Sequence, residues 1–275
     1  MPVPQSSPTV HATTVIDRRE PGPGVAVIGL HAPQLASAAR PGQFVMVVPP
    51  SGESVATALG VYEAASERVS LMVVVVGHRT AELAALPPGE RVDVVGPLGN
   101  GFDIAGLGAD VAIVAGGVGI ASLYLVAEQI AQRGGRAHLY YGARNAGALV
   151  DVGLFKRLCA GMALATDDGS HGHRGYVTDL LQREHVGGTI AACGPTPMLR
   201  SVAAVARRLE VRAQLALEEQ FACGVGACWG CVVPIDRHSR QAPRFPDPPS
   251  GDAREYVNAR ICKEGPVFWA HDLRW

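Results

Sequence analysis

Four cysteines near the C-terminus constrain this chain more than any other feature. Cys223, Cys228 and Cys231 read C-x4-C-x2-C, and Cys262 follows in a separate segment. The loop that carries the first three cysteines also contains Gly224, Gly226 and Gly230. Glycine accepts the positive φ angles that a loop around an inorganic cluster requires, and it lets backbone N–H groups approach the cluster's sulfides. The spacing therefore predicts a 2Fe–2S cluster held by four thiolates.

Two other interpretations of these cysteines stay open. A zinc site would usually combine a C-x2-C pair with a second C-x2-C or H-x3-H pair, and no such partner follows in the sequence. The cysteines could also be structural thiols without a ligand. Disulfides are less expected, because the rest of the sequence resembles that of a cytoplasmic protein.

Composition excludes several classes of function. With 275 residues the chain is long enough for two domains and a small third. A net charge of −1 and no basic patch argue against nucleic-acid binding. The N-terminus has no apolar core typical of a secretory signal, and the longest uncharged run, 111–127, is short and interrupted by glycines. We therefore expect a cytoplasmic protein without a membrane span.

The first hundred residues predict β structure. Short runs rich in β-branched residues alternate with turns that contain Pro and Gly. The runs cover 13–16, 25–30, 44–48, 69–76 and 91–95. Strands at this spacing indicate a small antiparallel barrel or sandwich, with one short helix at 80–85. We place this first domain at 1–104.

From residue 110 the pattern changes to alternating strands and helices. Strands are predicted at 111–115, 137–141, 163–166 and 189–193, and helices at 121–132, 154–160, 177–184 and 197–209. This alternation is typical of a parallel sheet covered on both faces. It defines a second domain at 105–212, followed by a cysteine domain at 213–275 whose segment 236–252 is predicted to be an exposed loop.

Two loops of the second domain are candidates for nucleotide binding. Gly116, Gly117 and Gly119 follow a strand and open a helix, where glycines let the backbone close on a pyrophosphate. Cys193 and Gly194 also follow a strand, so both loops should lie on the same rim of the sheet. Cys193 is the candidate catalytic residue, because a thiol there could touch a nicotinamide. The alternatives are a tight turn without a ligand and a small buried cysteine.

In this order, the motifs resemble one family over nearly the full length. It is the electron-transfer subunit of the NAD-dependent dihydroorotate dehydrogenases, within the ferredoxin–NADP reductase superfamily. The matching segments are 41–44 (Pro-Gly-Gln-Phe), 96–102, 116–119, 167–170, 175–179, 193–198, 223–228 and 262–268. The resemblance implies a flavin-binding barrel, an NAD-binding domain and a 2Fe–2S domain. It also implies that NADH reduces FAD, and that electrons pass singly through the cluster to FMN in a partner catalytic subunit.

The flavin-binding motifs depart from the family pattern. The usual Arg-Pro-x-Ser segment is replaced by Thr57-Ala-Leu-Gly60, and the usual Gly-Thr by Arg79-Thr80. A pair of prolines after the glycine loop becomes Ala121-Ser122. The positions that the resemblance assigns to FAD are Thr57, Leu59, Gly60, Gly77, Arg79 and Thr80. Loss of the arginine removes a bidentate charge partner of the flavin phosphate, and Arg79 is the candidate to replace it.

Three functions therefore remain in competition. The leading one is an electron-transfer subunit that forms a hetero-oligomer with a dihydroorotate dehydrogenase catalytic subunit. A second keeps the cofactors but serves another oxidoreductase, of the ferredoxin:NADP oxidoreductase or hydrogenase type, because fold does not fix the partner. A third is a flavin-less 2Fe–2S binding or redox-sensing protein, which the altered flavin motifs would favour.

Overall fold

The computed structural model describes residues 8–52, 56–243 and 255–275. The N-terminal part is built from six strands, β1 (Thr9–Gly22), β2 (Val25–His31), β3 (Phe44–Val48), β4 (Thr57–Ala65), β5 (Arg68–Val74) and β6 (Arg91–Leu98). They close into an antiparallel barrel in the order β1-β2-β5-β4-β3-β6. Closure removes the free strand edges of the sheet. The prediction of an antiparallel barrel is confirmed.

The barrel interior follows from the alternation of side chains along its strands. In β6, buried residues such as Val92 and Val94 alternate with exposed neighbours, as expected for a strand with one face toward a core. Two helices, α1 (Pro33–Ala38) and α2 (His78–Ala84), contribute Leu35 and Leu83 to the same core. The short helix predicted at 80–85 corresponds to α2. Strand β4 was not among the predicted strands.

The second part is a seven-stranded sheet. Its strands are β7 (Asp110–Gly116), β8 (Arg136–Ala143), β9 (Gly161–Thr166), β10 (His173–Arg174), β11 (Thr189–Cys193), β12 (Arg212–Ala216) and β15 (Val267–Trp269). The order is β10-β9-β8-β7-β11-β12-β15, and every neighbouring pair is parallel except β12 with β15. Apolar runs such as β7 are buried throughout, as expected when helices cover both faces.

Five helices accompany this sheet. They are α3 (Ile104–Leu107), α4 (Tyr124–Gln132), α5 (Val152–Phe155), α6 (Val177–Glu184) and α7 (Thr196–Arg208). The segment Gly117–Leu123 between β7 and α4 is a 3-10 helix, so the α-helix begins later than the residue 121 predicted from sequence. The predicted helix at 154–160 was misplaced and too long, because α5 spans only Val152–Phe155.

The cysteine segment is tied to both larger parts. A two-stranded antiparallel sheet pairs β13 (Val232–Asp236) with β14 (Tyr256–Arg260). Strand β15 then returns to the edge of the large sheet and pairs with β12. Of the exposed loop predicted at 236–252, residues 244–252 lie outside the described residues, and 236–243 form the end of β13 and the turns after it. The boundaries at 104/105 and 212/213 stay predictions.

A buried polar contact fixes the barrel against the large sheet. Both Oδ atoms of Asp151 accept hydrogen bonds from the Arg19 guanidinium, at 2.7 and 2.8 Å, and the Tyr62 hydroxyl donates to Asp151 at 2.8 Å. Burial raises the pKa of Tyr62, so its hydroxyl stays protonated and able to donate. The Tyr62 ring also packs edge-on against Tyr124 of α4, with centroids 5.2 Å apart. These contacts hold β1 and β4 at a defined position relative to α4 and to the start of α5.

Within the described ranges, we find no helix that combines the length and the apolar character needed to cross a membrane.

Candidate functional site

The three-cysteine loop lies between β12 and β13 and folds around one sulfur. Backbone N–H groups of Ala227 and Cys228 approach the Cys223 Sγ at 3.3 and 3.5 Å. Partial burial tends to raise the pKa of Cys223, but hydrogen bonds, led by the Cys228 N–H, outweigh it and lower the pKa to about 6. The loop backbone therefore favours the thiolate, which is the form that binds iron.

Two glycines let this loop approach its neighbours. Gly224 and Gly226 have φ angles of +67° and +79°, which favour glycine. A Cβ atom at position 224 would lie 2.6 Å from the Sδ of Met46 in β3, and one at 226 would lie 2.6 Å from the Cδ of Lys263. The loop is therefore packed on the barrel on one side and on the Cys262 segment on the other.

The four cysteines form two pairs. The Cys223 and Cys228 side chains are in hydrogen-bond contact, and so are those of Cys231 and Cys262. The Cys262 N–H lies 3.5 Å from the Cys231 Sγ, and both of these residues are buried. In the described part of the chain, no three His, Cys, Asp or Glu side chains are gathered for a single metal ion. Two pairs of thiols fit a binuclear cluster, in which each iron takes two protein ligands.

The two nucleotide loops meet at one rim of the sheet. Strands β7 and β11 are adjacent and parallel, and Ala115 is paired with Cys193 at their carboxyl ends. A Cβ atom at Gly119 would lie 2.4 Å from the Cys193 carbonyl oxygen, and one at Gly194 would lie 3.0 Å from the Gly116 backbone. Gly117 has open space around it. The close approach of the two loops therefore depends on glycine at 119 and 194.

Cys193 is buried at this rim and contacts two polar side chains. Its sulfur lies 3.5 Å from the Glu218 Oε1, and the Ser122 hydroxyl lies close enough to the thiol to act on its pKa. Burial, followed by the charge of Glu218, raises the pKa of Cys193 well above its usual value, so the thiol stays protonated. Loss of hydration beside Cys193 likewise raises the pKa of the Glu218 carboxylate, although the residue as a whole is exposed. Sequence analysis did not identify Glu218 or the role of Ser122, because both reach Cys193 from other elements.

The predicted flavin residues fall into two groups. Thr57, Leu59 and Gly60 lie on β4. Leu59 packs in the barrel core, so only its backbone could line a ligand site. The Thr57 Oγ1 is a buried hydroxyl with no hydrogen-bond partner among the described residues, and a polar ligand atom would satisfy it. A Cβ atom at Gly60 would lie 3.0 Å from the Ser122 Oγ. The Ser122 hydroxyl therefore lies beside the space that a serine side chain at position 60 would fill.

The second group lies where β5 leads into α2. Gly77, Arg79 and Thr80 surround the start of this helix, and Thr80 Oγ1 accepts hydrogen bonds from the N–H groups of Val76 and Gly77 at 2.9 and 3.1 Å. Arg79 is exposed, and a Cβ atom at Gly77 would contact nothing. The Val76 side chain is 83% exposed. An open, apolar surface with a nearby guanidinium fits part of a flavin nucleotide.

Solved structures of similar fold define the class. An NADH-dependent reduced ferredoxin-NADP oxidoreductase, studied for flavin-based electron bifurcation, superposes with a TM-score of 0.78 at 28% identity over 96% of this chain and 90% of that one. A Neisseria gonorrhoeae ferredoxin NADP+ reductase with bound FAD and NADP has the same fold, with a TM-score of 0.61 at 15% identity over 72% and 91% of the chains. Residues 113–204 match the oxidoreductase NAD-binding domain. The fold and the site define an iron–sulfur oxidoreductase of the ferredoxin reductase class.

Residues 218–245 match the iron-sulfur cluster binding domain of dihydroorotate dehydrogenase B. The electron transfer subunit of dihydroorotate dehydrogenase B (NAD(+)) from Desulforamulus reducens is 33% identical over 92% of this chain and 94% of its own length. The Bacillus caldolyticus subunit is 37% identical over 72% and 70%. The chain belongs to the family of dihydroorotate dehydrogenase B electron transfer subunits. The resemblance inferred from sequence is confirmed.

Proposed function

We propose that this chain takes electrons from NADH and passes them to a dihydroorotate dehydrogenase catalytic subunit in pyrimidine biosynthesis. The observation that carries the proposal is that the nucleotide rim and the cysteine loop both pack on the barrel. Gly60 of the barrel lies against Ser122, Ser122 lies against Cys193 at the nucleotide rim, and Gly224 of the cysteine loop packs on Met46 of the barrel. The rim and the cysteine loop therefore contact neighbouring strands of the barrel, β4 and β3, which are paired with each other.

The residues divide into three binding sets. We assign NAD(H) to the loops of Gly116, Gly117, Gly119 and Gly194, with Cys193 as the catalytic-site thiol beside the nicotinamide. We assign FAD to Thr57, Leu59, Gly60, Gly77, Arg79 and Thr80, and a 2Fe–2S cluster to Cys223, Cys228, Cys231 and Cys262. When bound, the flavin accepts two electrons together and releases them one at a time, while the cluster carries single electrons.

The chain's own contribution at the rim is a protonated, oriented thiol. Because Cys193 is 2% exposed and contacts both Glu218 and Ser122, its sulfur is held in one place and shielded from water. A neutral thiol adds no charge to the site where a nicotinamide would lie. Glu218 contacts this thiol and is also exposed to solvent. It is therefore positioned to exchange protons between the site and solvent.

Ser122 is expected to position Cys193 in place of the serine that the family carries at position 60. Ser122→Ala should lower the rate of flavin reduction by NADH about two- to tenfold, because one hydrogen bond contributes roughly 0.5–1.5 kcal/mol. Gly60→Ser alone should crowd the Ser122 Oγ. The double variant Ser122→Ala with Gly60→Ser moves the hydroxyl across the contact and should recover most of the rate in stopped-flow experiments. An unchanged rate in Ser122→Ala would contradict this role.

The partner we propose is the catalytic subunit, in a hetero-oligomer. None of the six cysteines, which all lie in the described residues, forms a disulfide, which favours a reducing compartment, and we place the protein in the cytoplasm. A second candidate partner is a ferredoxin, favoured by the similarity to the ferredoxin-NADP oxidoreductase over 96% of this chain. Reduction of purified dihydroorotate dehydrogenase catalytic subunit and of ferredoxin, measured side by side with NADH as donor, separates the two.

The primary test is anaerobic purification followed by a visible spectrum and chemical analysis. We expect about two iron, two sulfide and one FAD per chain, with both chromophores bleached by NADH. Iron and sulfide without flavin, and no response to NADH, would overturn the reductase and leave the flavin-less cluster protein. Zinc in place of iron would overturn the electron-transfer function altogether.

A further inference from the structure

Arg260 lies at the end of β14, two residues before Cys262, and is almost enclosed. Its Nε and Nη2 donate to the two carboxylate oxygens of Glu264 at 3.0 and 2.5 Å. The backbone N–H of Arg260 also donates to Glu264, at 2.7 Å. The two side chains are only 13% and 12% exposed. A bidentate pair with this little solvent contact has one orientation, so the guanidinium position is fixed.

The remaining side of the guanidinium faces the three-cysteine loop. Its Nη1 donates to the Gly226 carbonyl oxygen at 2.8 Å. Its Cζ lies 4.4 Å from the centroid of the Trp229 ring, which is within range of a cation–π interaction. Trp229 has a backbone φ of +58°, which residues other than glycine rarely adopt. Arg260 therefore joins the loop of Cys223, Cys228 and Cys231 to the segment that carries Cys262.

The Arg260 segment lies directly against the buried pair of thiols, because Arg260 is two residues before Cys262 and the backbone N–H of Ile261 donates to the Cys231 carbonyl oxygen at 2.7 Å. These two thiols are the buried members of the set, whereas Cys228 is exposed. In a region of low dielectric, a fixed charge next to these segments acts more strongly than the same charge in water.

We propose that Arg260 is a positioning residue that clamps the cysteine loop to Cys262 and raises the reduction potential of the cluster. The inference rests on the proposed function, since it requires the 2Fe–2S cluster. One-electron reduction adds a negative charge to a group already surrounded by four thiolates, and a fixed cation beside Cys231 and Cys262 favours that charge. Hydrogen bonds, charge and solvent exposure are the means by which a protein sets the potential of such a cluster.

The experiment compares four variants of the full chain, purified with cofactors. Arg260→Gln removes the charge, and Arg260→Gln with Glu264→Gln removes both members of the pair. Arg260→Lys keeps the charge and loses the bidentate fork. Lys263→Gln is the matched control, because it removes a positive charge from an exposed neighbour of Cys262. Iron and sulfide per chain are measured first, and the midpoint potential is then measured by dye-mediated titration followed by EPR.

At the wild-type midpoint potential, the ratio of reduced to oxidised cluster should fall at least tenfold in Arg260→Gln, a shift of about 59 mV for one electron. In the double variant, the ratio of reduced to oxidised cluster should lie between the ratios of Arg260→Gln and wild type. In Lys263→Gln the ratio of reduced to oxidised cluster should stay within about twofold of wild type, because an exposed charge is screened by solvent. In Arg260→Lys the ratio of reduced to oxidised cluster should stay within about threefold of wild type, because the charge stays. This variant should lose iron faster than wild type, because the clamp is lost.

Three results would overturn the proposal. The first is an Arg260→Gln protein that holds a full cluster and has the same midpoint potential as Lys263→Gln. The second applies if Arg260→Gln holds no iron. In that case, a tenfold change in the ratio of reduced to oxidised cluster in Arg260→Lys would contradict the proposal, because lysine keeps the charge. The third is wild-type protein without iron and sulfide, which removes the proposed function at the same time. Wild-type protein with a full cluster and no effect of Arg260 would leave the proposed function standing and reject only this inference.

Discussion

Cys262→Ser is expected to abolish the cluster while leaving reduction of the flavin by NADH intact. Cys262 is buried against Cys231 and supplies the one thiol from outside the three-cysteine loop. A serine hydroxyl is a far weaker ligand for iron than a thiolate. The variant should retain fewer than two iron per chain and lose electron delivery to a one-electron acceptor. The loss should exceed the roughly 10- to 100-fold typical of changes around a metal site's ligands.

The measurement separates the two halves of the reaction. Reduction of a two-electron dye at the flavin should continue at nearly the wild-type rate. The nucleotide loops follow β7 and β11 of the seven-stranded sheet, whereas Cys262 follows β14 of the two-stranded sheet. Cys159→Ser is the matched control. Cys159 is a free thiol away from the four predicted ligands, and burial raises its pKa to about 12, so it is protonated and unreactive. A Cys262→Ser protein with a full complement of iron and sulfide would contradict the ligand assignment.

The fold class could be predicted because its signals are local. The cysteine spacing, the apolar runs of the parallel strands and the glycines after them each occupy a few consecutive residues. Helix α6 and strand β11 were predicted at their observed bounds, Val177–Glu184 and Thr189–Cys193. Strand β4 was missed because its sequence, with Gly60 in the middle and several alanines, has a low β propensity. Pairing with β3 and β5 on both sides forms the strand regardless.

What sequence analysis could not supply are contacts between distant segments. Glu218 reaches Cys193 because β12 is paired with β11, which places Ala216 opposite Cys193. Ser122 reaches Gly60 only after the barrel has packed on the large sheet. The pairing of β15 with the edge strand β12 is likewise a contact between distant segments. Strand β15 has only three residues, too few to show a periodicity that would predict it. The departures from the family pattern at 57–60 and 121–122 are the one signal that could have suggested the Ser122 contact.

Gly119→Ala is the second substitution from which we expect a large effect. A Cβ atom at this position would lie 2.4 and 2.5 Å from the Cys193 carbonyl oxygen and carbon, and 2.8 Å from the Gly194 nitrogen. All three contacts are backbone atoms, so no rotamer change can relieve them. The loops after β7 and β11 must move apart, which should cost about 1–3 kcal/mol of folding free energy. The melting temperature should fall by roughly 2–10 °C.

The displacement should also weaken NADH binding, because the two loops form one rim only when Gly119 touches Cys193. We expect the apparent Kd for NADH to rise at least about tenfold, equivalent to about 1.4 kcal/mol, with a parallel loss of flavin reduction at low NADH. Gly134→Ala is the control, in the turn after α4 and outside the residues assigned to cofactors. A Cβ there would contact nothing, and its φ of +73° makes the cost a local one of about 1–2 kcal/mol. This variant should melt lower without a change at Cys193 or in NADH binding. Equal NADH affinities in the two variants would show that contact between the loops does not build the nucleotide site.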